Sequence, residues 1–325
     1  MPRDSYGRDI HYLRISLTDK CNMRCVYCMS EEMVFQPTKD LMTTAEILRL
    51  VNLFARLGID KIRLTGGEPS IHPDLIPIVR GIRAAGITRI SMTTNGLRLA
   101  DLSQPLKDAG LERVNVSVDT LDPERFHRVT RWGHLDKVLA GIDAAQAAGL
   151  TPLKINAVVA RGFNEDDVVG LARLTLTHPW QVRFIEMMPF GDVASFAQSA
   201  TVSQTEIMQR IENELGPLHP IDEARLDGEA RLYRLEGAQA AVGFISTVTN
   251  PFCASCSRVR LTADGHLRLC LLRDDEGDLL TPMRKGATDD QLEALVRNLI
   301  WRKPWGHGLS DSVIPLDRLM SQIGG

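Results

Sequence analysis

Cys21-Asn22-Met23-Arg24-Cys25-Val26-Tyr27-Cys28 places three cysteines within eight residues, spaced C-x3-C-x2-C. That spacing is too tight for two pairs of zinc ligands, and no fourth cysteine stands nearby. Three thiolates can hold three irons of a [4Fe-4S] cube. Such clusters normally take four cysteines, so a missing fourth leaves one iron with a coordination position for something else. A zinc site of three cysteines and a distant histidine is the plainer alternative.

Working outward, a second triad lies far downstream: Cys253 and Cys256 in Pro251-Phe252-Cys253-Ala254-Ser255-Cys256-Ser257-Arg258-Val259-Arg260, then Cys270. The two triads use all six cysteines of the chain, so none is left for a disulfide, and thiolate ligands need a reducing compartment. His266 falls between Cys256 and Cys270, which keeps a Cys3His zinc site open on spacing alone. Beside the first triad, a second three-cysteine cluster with an open iron is favoured.

Upstream of the first triad, Tyr12-Leu13-Arg14-Ile15-Ser16-Leu17 reads as a strand feeding the cysteine loop. Residues 43–57 read as a helix: Thr43 with Glu46 makes a capping box, Ile47, Leu50, Val51 and Phe54 form one apolar stripe, and Gly58 ends it. Strands at 61–65, 89–93, 113–118, 153–159 and 182–186 then alternate with helices at 74–85, 102–108, 123–129, 135–148 and 165–177. Successive βα units imply a parallel sheet with right-handed crossovers. Six such steps are too few for a closed eight-stranded barrel, so an open (βα)6 partial TIM-like barrel is expected over residues 1–190. Residues 191–325 change character and read as an α+β extension covering the barrel mouth. Within it, 204–215 reads as a helix, 231–235 and 241–246 as antiparallel strands, Asp264-Gly265 as the turn of a hairpin, and 290–301 as a helix. The end of the chain, Met320 to Gly325, shows no helical pattern.

The 325 residues carry a net charge of −3, with 44% hydrophobic and 24% charged residues, an ordinary enzyme composition. No bulk attraction to nucleic acid or anionic membrane follows from that charge. No apolar run approaches a membrane span, and the N-terminus lacks the apolar segment of a secretory signal, so a cytoplasmic protein is expected.

In a βα barrel the chemistry gathers at the C-terminal strand ends. There the chain places Thr65-Gly66-Gly67-Glu68-Pro69, Thr93-Thr94-Asn95-Gly96, Ser117-Val118-Asp119, and Glu186-Met187-Met188-Pro189, with Lys154 and Asn156 on one face of the fifth strand. Paired glycines let a backbone approach a ligand. Each motif alone has a plain reading: a tight turn, a capping Asp, a core methionine. Their recurrence strand after strand beside the cysteine triad favours a site.

With Tyr27 just before the last cysteine, the first triad resembles the signature of radical S-adenosylmethionine (SAM) enzymes. The phrase Arg63-Leu64-Thr65-Gly66-Gly67-Glu68-Pro69, the CxxC-x13-C of the second triad with its Arg-x-Arg, and the terminal Gly-Gly resemble more narrowly the GTP 3′,8-cyclase family of molybdenum cofactor biosynthesis, over nearly the whole chain. Two stretches depart from that pattern: Ser257-Arg258 stands in place of Asn-Arg, and Ser70-Ile71-His72-Pro73 follows GGEP. The resemblance implies two [4Fe-4S] clusters, on Cys21, Cys25 and Cys28 and on Cys253, Cys256 and Cys270, with SAM as cofactor. Tyr27, Gly67, Ser117 and Met188 would contact SAM; Arg14, Arg63, Thr94, Lys154, Arg258 and Arg260 would bind GTP. It further implies a radical that takes hydrogen from ribose C3′ before a bond forms to guanine C8. No side chain need be a nucleophile. An electron-donor protein, a downstream pyranopterin-forming enzyme and, as one open assembly, a homodimer are the implied partners. The alternatives are a peptide-modifying radical SAM enzyme with an auxiliary cluster and a non-catalytic zinc-binding protein.

Overall fold

The computed structural model describes residues 1–189, 199–222, 228–309, 315 and 318–324. Six parallel strands form the centre: β1 (Tyr12–Ser16), β2 (Lys61–Thr65), β3 (Arg89–Thr94), β4 (Arg113–Ser117), β5 (Lys154–Val159) and β6 (Gln181–Glu186). Helices α1 (Thr44–Arg56), α2 (Leu75–Ala84), α3 (Leu99–Ala109), α4 (Pro123–Thr130), α5 (Leu135–Ala147) and α6 (Val168–Thr177) connect them. The strand order follows the sequence order from β1 to β6, as consecutive βα units require. The predicted open partial barrel is the observed one.

Local chemistry sets the helix boundaries. Thr43 accepts from the Glu46 amide while the Glu46 carboxylate accepts from the Thr43 amide at 2.7 Å, the expected reciprocal cap. The apolar stripe Ile47, Leu50, Val51 and Phe54 is buried. At the other end of α1, Gly58 takes the left-handed conformation (φ +92°) that stops the helix.

The extension does more than cover the mouth. It contributes α7 (Gln204–Leu215), β7 (His219–Pro220), β8 (Arg231–Arg234), β9 (Val242–Ile245), β10 (Arg258–Leu261), β11 (His266–Arg268), β12 (Glu276–Asp278), α8 (Leu280–Arg284), α9 (Asp289–Trp301) and α10 (Met320–Ile323). Strand β9 pairs parallel with β6, and β10 pairs parallel with β1. Both edges of the six-stranded sheet are therefore continued, giving twelve strands in the order β12-β11-β10-β1-β2-β3-β4-β5-β6-β9-β8-β7. Exposed edges invite unwanted pairing, and this arrangement removes both edges of the core. The hairpins β8–β9 and β10–β11 are antiparallel as read from the sequence, the second turning at Asp264-Gly265. The tail differs from its expectation: Met320–Ile323 forms one helical turn. Ile323 is fully buried against Leu272, so packing supplies what the local pattern lacks.

Candidate active site

Because side chains alternate across a strand, the inward positions of β1, β2 and β10 are Tyr12/Arg14/Ser16, Lys61/Arg63/Thr65 and Arg258/Arg260. Strand register puts Arg260 beside Arg14 and Arg14 beside Arg63, three arginines in one row across adjacent parallel strands. Like charges directly opposite one another destabilise a sheet, so this row is an expense for the fold. Tyr12 lies one step below, with the Arg14 and Arg63 guanidiniums each 5.8 Å from its ring centroid and the Lys61 ammonium at 4.1 Å. Arg183 on β6 completes the basic floor, buried and lining the same cavity.

Both cysteine triads open onto that one cavity. Cys21, Cys25 and Cys28 are unpaired and half-buried, as are Cys253, Cys256 and Cys270. At the first triad, burial together with Glu68 pushes the Cys21 thiol up to about 11, and burial together with Cys21 pushes Cys28 up to about 12. Cys25 is raised well above its ordinary value by burial and by Cys28, Asp119 and Cys21. The thiols thus feel one another's charge. Among the described residues, no three His, Cys, Asp or Glu side chains meet closely enough to hold a single metal ion. Three thiols facing one cavity are the donor set that a cube with one open iron takes, and the first triad matches the class's cluster site.

The second triad differs at one thiol, Cys256. Burial works against the Cys256 thiolate, yet Arg258 and Lys303 hold Cys256 down to about 6. Cys253 is raised by burial and by its two triad partners. Lys303 is buried and donates to the Leu269 carbonyl, next to Cys270.

The carboxylates gather at the first triad. Glu68 accepts from the Thr94 hydroxyl at 2.6 Å and from the Asn95 and Ser70 amides at 2.7 and 2.9 Å. Asp119 accepts from the Tyr27 hydroxyl at 2.6 Å and from the Val158 amide at 2.9 Å, and burial pushes it up to about 6. The glycine pair seats the cysteine loop: a Cβ on Gly66 would stand 2.5 Å from the Thr18 carbonyl oxygen, and one on Gly67 would stand 2.2 Å from that of Lys20. The Gly67 and Glu68 amides donate to Thr18 and Lys20 at 2.6 and 2.8 Å. The Gly67 and Glu68 amides are thus spent within the protein, which leaves the carbonyl groups of the turn for a ligand's donors.

The cavity brings together all six cysteines, Tyr27, Gly67, Ser117 and Met188, and Arg14, Arg63, Thr94, Arg258 and Arg260. Lys154 is not among its lining residues: it is buried at the first position of β5, one inward step below Asn156. Thr94 spends its hydroxyl proton on Glu68, at the carboxylate end. Sequence reasoning missed Glu229, Arg183, Lys303 and Asn115. Asn115 is fully buried with both side-chain polar atoms unpartnered, and Asn156 leaves its carbonyl oxygen so; both line the cavity. Buried amides without partners are rare, and on a cavity wall a water or a ligand can complete their bonding. The tail also reaches the site. The Gly324 carbonyl accepts from Arg260, and a Cβ there would stand 2.0 Å from the Thr65 hydroxyl oxygen. Gly325 lies outside the described residues.

An open βα barrel with three thiols at the mouth defines a class, and the comparisons bear on it directly. Residues 15–175 match the radical SAM superfamily model, and residues 180–309 match the model described as Molybdenum Cofactor Synthesis C. The fold resembles that of Streptococcus suis SuiB, with a TM-score of 0.57 at 13% identity over 94% of this chain and 68% of that one. The chain is a radical SAM enzyme, a class whose members use SAM and a [4Fe-4S] cluster.

Within that class the relatives are specific. The GTP 3′,8-cyclase of Pelotomaculum thermopropionicum is 46% identical over 99% of this chain and 100% of its own length. Those of Heliobacterium modesticaldum and Moorella thermoacetica are each 44% identical, over 99% of this chain and 99% and 100% of their own. The chain belongs to the GTP 3′,8-cyclase family of molybdenum cofactor biosynthesis.

Proposed function

We infer that this chain converts GTP to (8S)-3′,8-cyclo-7,8-dihydroguanosine 5′-triphosphate, with SAM bound at the Cys21 end of the cavity and the triphosphate on the arginine row. The observation that carries the placement is the row Arg260–Arg14–Arg63 with Arg258 beside it: among the described residues Glu229 pairs with Arg14 and Arg258 only, so the buried arginines outnumber their carboxylate and favour a further anion. Forked guanidinium donors suit phosphate oxygens.

Cys21, Cys25 and Cys28 hold the SAM-side [4Fe-4S] cluster, and Cys253, Cys256 and Cys270 hold a second. When bound, the first cluster and SAM supply the 5′-deoxyadenosyl radical that takes hydrogen from ribose C3′. The protein's own work is placement. Tyr27, Gly67, Ser117 and Met188 take SAM, whose cationic groups suit the end where Glu68 and Asp119 are held. Arg14, Arg63, Arg258 and Arg260 hold the phosphates, with Lys154 adding charge from beneath. Asn115 and Asn156 supply the unspent amide groups between the two ends. The Gly324 carbonyl orients Arg260.

The reading needs an electron-donor protein and a pyranopterin-forming enzyme that consumes the product. Thiolate ligands require reducing surroundings, which supports the cytoplasm. Among the described residues no helix is long and apolar enough to cross a membrane. The homodimer is a proposal for measurement of solution mass. The deciding experiment is anaerobic incubation of the iron-loaded protein with SAM, a reductant and GTP, followed by mass analysis of nucleotide and 5′-deoxyadenosine. Release of 5′-deoxyadenosine without a change in GTP would reject the substrate assignment; a colourless, iron-free protein after anaerobic, iron-replete preparation would reject the clusters.

A further inference from the structure

Glu229 precedes β8 and is 4% exposed, yet it lines the cavity. Its carboxylate accepts from Arg14 at 2.8 Å and from Arg258. The cavity's other acids are held differently. Glu68, Asp119 and Glu186 take backbone amides and hydroxyls, the last from Val248, Thr249 and the Thr249 side chain. Glu229 alone among these four acids is ion-paired with the arginines. Its carboxylate occupies donors that a phosphate oxygen would take, because the planar carboxylate and the tetrahedral phosphate both present paired anionic oxygens to a guanidinium fork. A buried like charge beside an arriving phosphate costs far more than one at the surface.

We propose that Glu229 is a built-in counter-ion that competes with the triphosphate for Arg14 and Arg258. In the nucleotide-free chain it relieves repulsion within the arginine row. When a polyphosphate arrives, Glu229 is displaced or left facing it, and either outcome weakens binding of the phosphates. Phosphate groups alone then fill the site poorly, and the ribose and base contacts of the whole nucleotide are needed to tip the exchange. This rests on the reading that the arginine row takes the triphosphate.

The two effects have opposite signs, which separates a competitor from a structural prop. In iron-loaded, anaerobically purified full-length protein, Glu229→Gln should bind both GTP and inorganic tripolyphosphate about ten-fold more tightly by calorimetry, the scale of one charge-assisted contact. The same variant should melt at a lower temperature without ligand, since the arginines lose their counter-ion. Equal or weaker binding of both ligands overturns the proposal, because a carboxylate that merely orients Arg14 and Arg258 gives that result. Arg260→Ala measured alongside tells the two readings apart. If it leaves GTP affinity unchanged, the placement of the triphosphate fails and the proposal with it. If it weakens GTP while Glu229→Gln brings no gain, only the role of Glu229 falls. Should Glu229→Gln not fold, Glu229→Asp decides: the shorter side chain draws the oxygen shared by Arg14 and Arg258 back from both, so a smaller tightening is expected, and unchanged or weaker binding counts against the proposal.

Discussion

The two ends of the cavity carry the same number of thiols in different electrostatic surroundings. At the first, Glu68 and Asp119 stand among the cysteines, and among the described residues no arginine pairs with either carboxylate, Arg24 instead donating to the Cys21 carbonyl. At the second, Arg258 and Lys303 favour the Cys256 thiolate. The cysteines alone therefore do not distinguish the ends; their neighbours do. On the proposed function, a field that runs from carboxylate to guanidinium across one cavity would sort two ligands of opposite local charge, the ammonium and sulfonium of SAM and the phosphates of GTP. It would do so in a chain whose net charge of −3 gives no hint of an anion site.

The sharpest way to break this comparison is to remove one thiol from each end. Cys25→Ala leaves two protein ligands at the SAM side, and 5′-deoxyadenosine release should fall to background. Cys270→Ser should behave differently: SAM binding persists, while iron content and conversion of GTP both fall. Iron analysis and product quantification on the two variants check this. Parent-rate SAM cleavage by Cys25→Ala would remove the first assignment, and zinc at the second site in iron-replete protein would remove the other.

Next in size is the tail. Gly324 (φ +70°) packs against Thr65 and hands its carbonyl to Arg260, in space that a side chain does not fit. Deleting Gly324 and Gly325 should leave SAM binding and iron content intact and sharply reduce cyclised product. Gly324→Ala should follow in the same direction. Full activity after the deletion would make the tail a passive end.

Arg260→Ala and Arg258→Ala should act on one ligand only. Loss of a charge-assisted hydrogen bond costs roughly 1.5–3 kcal/mol, so GTP affinity or turnover should drop about ten- to hundred-fold with SAM binding little changed. A variant that weakens both ligands equally would show that the two ends are not electrostatically separate.

What the sequence disclosed and what it hid follow from the range of the interactions. The triads are legible because eight residues hold one set and a short hairpin presents the other. The βα alternation is legible because strand and helix periods are local. Strand pairing between β1 and β10, and between β6 and β9, has no local sign, so the extension reads as a cover although it continues the sheet at both edges. Glu229 is hidden for the same reason: it meets Arg14 across 215 positions of the chain, and no motif surrounds it. Asn115 is hidden by its ordinary appearance; only burial without a partner marks it. Two of the GGEP amides, those of Gly67 and Glu68, are bonded to the loop before Cys21, a pairing between distant segments that the motif itself does not reveal.

The smallest expected effect sets the scale for the others. Arg284, in the extension, donates to Glu46 on α1 at 2.7 Å and to the Lys39 and Leu41 carbonyls at 2.8 and 2.9 Å, tying the two parts of the chain together outside the cavity lining. Arg284, against the opposing effect of burial and with help from the Thr43 cap, holds the Glu46 carboxyl down to about 2 from an ordinary 4.5. A depressed folded-state value means the contact stabilises the fold above about pH 4.5 and is lost as pH falls toward 2. The pair is partly solvent-exposed, so its worth is small. Glu46→Gln should lower the melting temperature by a few degrees near neutral pH, with the gap to the parent closing on acidification. Iron content, SAM cleavage and GTP affinity should all stay at parent values. If Glu46→Gln disturbed either ligand, effects of the cysteine and arginine variants would trace to general loosening of the fold rather than to the charge at each end of the cavity.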